Sequence, residues 1–224
     1  MSVNVEAYRS LMNLTASSNA LLVAVSKTKP NEDISELYNI GQRDFGENYV
    51  QELLKKHEEL PQDIRWHFIG HLQSNKVKQI APFVHLIHGV DSIKLLQEID
   101  KVGAKLQKKI NCLLQVHIAK EETKFGFDKA EVIDTANSYF VEGKYANVQI
   151  CGLMGMASFT NDEKQIQTEF HDLKSIFTEI NKIEGVINSN FNVLSMGMSN
   201  DYKIALESGS TLIRIGSMLF GTRN

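Results

Sequence analysis

Cysteine is scarce in this chain: Cys112 and Cys151 are the only two, both inside apolar runs. Neither belongs to a C-x-x-C or Cys/His zinc spacing, so they read as two buried core thiols rather than a disulfide scaffold or a metal site. Long hydrophobic runs are also missing, since no segment approaches the roughly 18 uninterrupted apolar residues of a spanning helix. The opening Met-Ser-Val-Asn-Val-Glu-Ala-Tyr-Arg carries charges where a signal peptide needs an apolar stretch. A cytoplasmic chain without membrane association is expected. Excess charge of one sign is absent too: 24 Lys+Arg stand against 27 Asp+Glu, a formal net charge of −3. That leaves no basic face for nucleic acid and no acidic tail. The P-loop, G-x-S-x-G and G-x-G-x-x-G signatures are all absent.

What is present is alternation. The 224 residues, 42% hydrophobic and 23% charged, have an ordinary globular composition and enough length to fold without staples. Short apolar runs predict strands at Leu21–Ser26, Asp44–Asn48, Trp66–Gly70, Val84–Val90, Ile110–Ile118, Val148–Met156, Phe191–Met198 and Thr211–Gly216. Between them, 3.6-residue periodicity predicts helices, clearest at Asn31–Ile40, Ser92–Lys108, Asp128–Phe140 and Asp162–Lys182. Eight mostly continuous apolar strands alternating with helices predict a parallel sheet covered on its outside. At this length the expected fold is a single α/β domain, residues 1–224, closed as a (β/α)8 TIM barrel. An open doubly wound sheet is the alternative. No Pro/Gly/Ser-rich linker divides the chain. An extra N-terminal helix over about residues 3–16 is expected to cap the barrel bottom.

A barrel of this kind places its chemistry at the carboxyl ends of the strands. Lys27 ends the first strand, where desolvation would favour a neutral, nucleophilic amine able to form a Schiff base. The bland alternative is a lysine that reaches solvent at a strand end. Ser199, Asn200 and Asp201 precede a short helix, and Gly216-Ser217 follows the last strand. Such loops are a common phosphate site, or ordinary turns. Arg214 lies among Leu212, Ile213 and Ile215, so it needs either a ligand acceptor or a carboxylate such as Glu47. Asn48, His71 and Lys124 fall at other strand ends. His67, His71, His85 and His88 lack metal-ligand spacing, and no metal is expected. The methionines at 154, 156, 196 and 198 read as core packing.

Val23-Ala-Val-Ser-Lys27-Thr-Lys-Pro30 closely resembles the lysine motif of the pyridoxal phosphate homeostasis proteins. These are also called proline synthetase co-transcribed proteins, and are single-domain relatives of the alanine racemase barrel. Further segments match in order: Phe45–Tyr49, Trp66–Lys76, Lys124–Phe127, Gly152–Met156, Leu194–Ser199 and Arg214–Gly221. The resemblance therefore covers essentially the whole chain. It implies that Lys27 forms a Schiff base with pyridoxal 5′-phosphate (PLP), with Asn48 beside the ring and Arg214 donating to the pyridine nitrogen. Ser199, Gly216 and Ser217 would hold the phosphate; many relatives have Thr where this chain has Ser217.

An arginine donor leaves the ring nitrogen without its own proton, which weakens the cofactor as an electron sink. Racemases of this fold add a second, largely β domain and a tyrosine base. This chain ends three residues after Gly221, so a half-built site suited to storage and hand-over is expected. The expected function is PLP homeostasis, by buffering and delivery to PLP-dependent apo-enzymes, with indirect effects on amino-acid metabolism and no robust turnover. Lys29 and Lys124 would accept the aldehyde in passing. A PLP-dependent amino-acid racemase and a cofactor-free Schiff-base aldolase are the other readings. A monomer or weak dimer is expected.

Overall fold

The structure is a computed structural model that describes residues 3–120, 125–186 and 189–221. Helix α1 (Val5–Ser17) leads into strand β1 (Leu21–Val25) and helix α2 (Asn31–Asn39). Then follow β2 (Asp44–Glu47), α3 (Val50–Glu59), β3 (Arg65–Phe68), a 3-10 turn (Ser74–Lys76) and α4 (Val77–Ile80). The middle of the chain gives β4 (Leu86–Val90), α5 (Ile93–Leu106), β5 (Ile110–Gln115), α6 (Lys129–Phe140) and β6 (Val148–Met154). The last part gives α7 (Glu163–Ile180), β7 (Val193–Ser195), α8 (Tyr202–Glu207), β8 (Leu212–Ile215) and α9 (Ser217–Phe220).

All eight strands pair in parallel, each with its sequence neighbour, and β8 returns to β1 through Leu21↔Leu212 to Ala24↔Ile215. The (β/α)8 barrel expected from the alternation is the fold found, and the open sheet is excluded. Outward residues such as Phe45, Trp66, Phe68, Cys112 and Leu153 join the helices in one large apolar core. Inward residues Val23, Leu86, Leu113, Met154 and Leu212 form a second, smaller cluster inside the ring of strands. Cys112 is buried, but Cys151 is only half-buried and packs against the inner cluster. Burial pushes the Cys151 thiol up to about 11, so neither thiol is a ready nucleophile.

Helix α1 does not cap the bottom of the barrel. Asn4 N–H donates to the Leu219 carbonyl at 2.8 Å, which anchors the start of the helix beside α9 at the mouth. From there it runs down the outside toward the start of β1. The physical reason is coverage: β8 is followed only by the single turn of α9, which is too short to cover the seam back to β1. Helix α1 supplies Tyr8, Leu11 and Thr15 to that seam instead.

At the opposite end, β2 and β3 are held in register by Asp44 beside Arg65. Arg65 grips both carboxylate oxygens, one through Nε at 2.8 Å and the other through Nη2, and His67 Nε2 lies 3.0 Å from Asp44 Oδ1. Burial alone would raise the Asp44 pKa, but the hydrogen bonds from His67 and Arg65 and the Arg65 charge prevail and lower it to about 2. A carboxyl more acidic when folded than when unfolded stabilises the fold above its unfolded pKa, and that contribution is lost as pH falls toward the folded value. Urea unfolding between about pH 5 and pH 2 should therefore lose about 2 kcal/mol through Asp44. Asp44→Asn should flatten that part of the profile; an unchanged acid limb would disprove the assignment.

Candidate functional site

Strand β1 ends in a turn closed by Lys29 N–H donating to the Ser26 carbonyl at 3.0 Å. Lys27 is the first corner of that turn. The turn is clamped from behind by charges the sequence did not disclose. Ser26 Oγ donates to Glu47 Oε1 at 2.5 Å, and Lys56 Nζ donates to the Ser26 carbonyl, Glu47 Oε1 and Glu52 Oε1 at 2.8, 2.8 and 2.7 Å. Glu52 Oε1 also accepts from Thr28 N–H at 2.6 Å, and Thr28 is held at φ +66°. Lys27 thus sits between two residues whose backbones are fixed by one buried ion cluster. Glu47 lies under α3, facing away from the barrel interior. It pairs with Lys56 and not with Arg214, which overturns the ion pair considered from the sequence. Burial raises the Glu47 pKa, while Lys56 and Ser26 oppose that rise.

A cavity of about 1040 Å³ opens at the carboxyl ends of the strands and is lined by Lys27, Asn48, Ser199, Arg214, Gly216 and Ser217. Six residues from the ends of four strands thus line one cavity, and Asn200, Asp201 and Lys29 line it too. Lys29 Nζ donates to the Phe220 carbonyl at 2.8 Å, tying the β1–α2 loop to α9. Lys124 lies outside the described residues. His71 does not line the cavity; it pairs with Asp91 at 2.9 Å and stacks on Phe125. Met154 and Met196 are core, as expected, but Met156 and Met198 line the cavity.

Arg214 faces inward from β8, as Leu212 does, and is only 4% exposed. Its Nη1 donates to Ser195 Oγ at 2.5 Å and its Nη2 to the Gly155 carbonyl at 3.2 Å. No carboxylate among the described residues lies within ion-pair distance, and desolvation lowers its pKa to about 10. At neutral pH it is still a cation that can only donate, and these two bonds use two of its five N–H groups. Ser199 Oγ accepts from Gly216 N–H at 3.4 Å, bringing the β7 and β8 loops together. A Cβ at Gly216 would sit 3.3 Å from the Val25 carbonyl, so the bare backbone matters there. Behind the β6 loop, Glu169 accepts from Ser158 N–H and Oγ–H at 2.6 and 2.7 Å.

An amine, a half-satisfied guanidinium and a cradle of hydroxyls and bare backbone around an apolar-walled cavity fit a flat aromatic aldehyde carrying a phosphate. Sequence reading missed Ser195, Glu47, Lys56 and Glu169 as supports. Strand alternation carried one usable signal, because Ser195 and Arg214 both fall on the inward phase of adjacent strands.

The family described as "Alanine racemase, N-terminal domain" matches residues 4–224. The pyridoxal phosphate homeostasis protein of Aquifex aeolicus is 40% identical over 205 residues, covering 91% of this chain and 87% of that protein. Its human namesake is 40% identical over 216 residues, covering 91% and 76%. Among solved structures, PipY of Synechococcus elongatus PCC7942 with PLP bound superposes with a TM-score of 0.85 at 35% identity, covering 96% of this chain and 99% of that one. No helix among the described residues is long and apolar enough to cross a membrane. The chain belongs to the pyridoxal phosphate homeostasis protein family, built on the alanine racemase N-terminal domain.

Proposed function

We propose that this chain binds pyridoxal 5′-phosphate through Lys27 and takes part in its homeostasis, buffering the cofactor and handing it to cofactor-free enzymes in the cytoplasm. Residues 1–224 act as a single domain in this reading. The observation that carries it is one cavity lined by both Lys27 and Arg214, a buried cation with no carboxylate within ion-pair distance among the described residues. Bound there, the cofactor supplies an aldehyde that condenses reversibly with an amine and releases water. Lys27 provides the amine. Asn48 flanks the ring, and Arg214 donates to the ring nitrogen, leaving it without a proton of its own. Ser199, the Gly216 backbone and Ser217 receive the phosphate. The clamp on Ser26 and Thr28 keeps the amine aimed into the cavity.

Borohydride reduction of the loaded protein followed by peptide mass spectrometry tests this. A phosphopyridoxyl adduct on Lys27, absent from Lys27→Ala, is expected; a loaded and reduced chain with unchanged mass refutes the proposal. Amino acids incubated with the protein in heavy water should keep their α-hydrogen, and steady exchange would favour the racemase instead.

A further inference from the structure

Arg214 is one end of a row of buried polar groups that crosses the inside of the barrel. Ser195 Oγ, which accepts from Arg214, lies 3.2 Å from His88 Nδ1. His88 Nε2 lies 2.9 Å from His67 Nδ1, and His67 Nε2 lies 3.0 Å from Asp44 Oδ1. Arg65 closes the row from the side opposite the cavity, with 46% of its side chain exposed. The row therefore links a residue on the cavity wall to solvent at the other end of the barrel, through β8, β7, β4, β3 and β2.

Elementary donor counting gives this row a direction. Arginine has no acceptor, so Ser195 Oγ must accept from it. The one hydroxyl hydrogen of Ser195 then has His88 Nδ1 as its acceptor; turned elsewhere it would be a buried donor without a partner, which is costly. His88 consequently carries its proton on Nε2 and donates to His67 Nδ1. His67 in turn carries its proton on Nε2 and donates to the Asp44 carboxylate. Every link donates toward Asp44. Burial, with the nearby Arg214 charge adding to it, holds the His88 imidazole well below its ordinary pKa, consistent with a neutral ring in the middle.

We propose that His88, His67 and Asp44 are positioning residues for Arg214. The one-way row from Arg214 to Asp44, pinned by Arg65, fixes both histidine tautomers and holds the guanidinium toward the ring nitrogen of a bound pyridoxal phosphate. The role toward the cofactor rests on the function proposed above. The row itself does not, because its groups are bonded without a ligand. None of the three touches the cavity, so they act through Ser195 and Arg214.

Nitrogen-15 spectra of the histidine rings in the cofactor-free protein at neutral pH test the row directly. Neutral rings protonated on Nε2 are expected for both His67 and His88. A proton on Nδ1 of either ring, or a doubly protonated His88, overturns the row. In the loaded protein, His88→Leu should shift the position of the visible absorbance band and weaken cofactor binding about tenfold. His88→Gln, which keeps an acceptor and a donor on one side chain, should restore both toward the parent values. A loaded His88→Leu protein with an unmoved band overturns the positioning role. If the parent protein forms no adduct at all, the Lys27 reading fails, while the ring spectra still decide the row.

Discussion

Lys56→Ala should cost about 3–5 kcal/mol of folding stability, the scale for removing one partner of a buried ion pair. Lys56 Nζ is the shared donor to Glu47, Glu52 and the Ser26 carbonyl, and the Lys56 and Glu47 side chains are 5% and 0% exposed. Without the ammonium, Glu47 keeps only the Ser26 hydroxyl and must either ionise in an apolar setting or take up a proton. The turn that carries Lys27 loses its rear support at the same moment. The variant should therefore also form the Lys27 adduct more slowly, even at temperatures where it remains folded. Urea unfolding measures the first effect and stopped-flow absorbance after addition of cofactor measures the second. Lys56→Met together with Glu47→Leu should recover much of the stability, because a packed apolar pair often matches a buried ion pair. It should not recover the adduct rate, because Ser26 would still lack its partners. A single variant as stable as the parent would show that the cluster is incidental.

Gly152→Ala should be at least as damaging. Gly152 sits in β6 at φ +152°, where an added Cβ would lie 1.8 Å from the Val193 carbonyl of β7. Neither backbone can yield cheaply, since Gly152 is paired with both Val193 and Leu113, next to a register shift between Cys112 and Leu113. Strain at the backbone and overpacking together amount to about 4 kcal/mol. Parting β6 from β7 would also move Ser195 and Gly155, the two acceptors that hold Arg214. Loss of soluble folded protein, or a urea midpoint far below that of the parent, is the expected result. An alanine variant of parental stability would mean that the two strands are not in this register.

The barrel was legible because each β–α unit repeats one burial pattern. Strands such as Leu21–Val25 are apolar on both faces, and helices such as α5 carry a single apolar stripe over Leu95, Leu96, Ile99 and Val102. The apolar runs overstate the strand lengths. The Phe191–Met198 run narrows to Val193–Ser195 because Gly197 turns at φ +95°. The six candidate residues reach one cavity because carboxyl ends of parallel strands share one side of a barrel, a consequence of topology alone. The supports were not legible. Glu47 and Arg214 both read as charges in apolar strands, and only the phase of alternation separates the outward one from the inward one. The partner of Glu47 is Lys56 on the next helix, whose sequence shows only a charged surface. The spacing of the histidines at 67 and 88 speaks only to metal binding, whereas their contacts are set by which inward positions face each other across the barrel.

The bond between Asn4 and Leu219 has a practical corollary. It places the first and last described turns of the chain side by side at the rim, so a tag or fusion attached near either would emerge next to the cavity and crowd its entrance. The loop around Gly143 lies on the far face, and a Cβ there would meet nothing within 4 Å. A fluorophore or affinity handle inserted at that loop would leave the entrance clear.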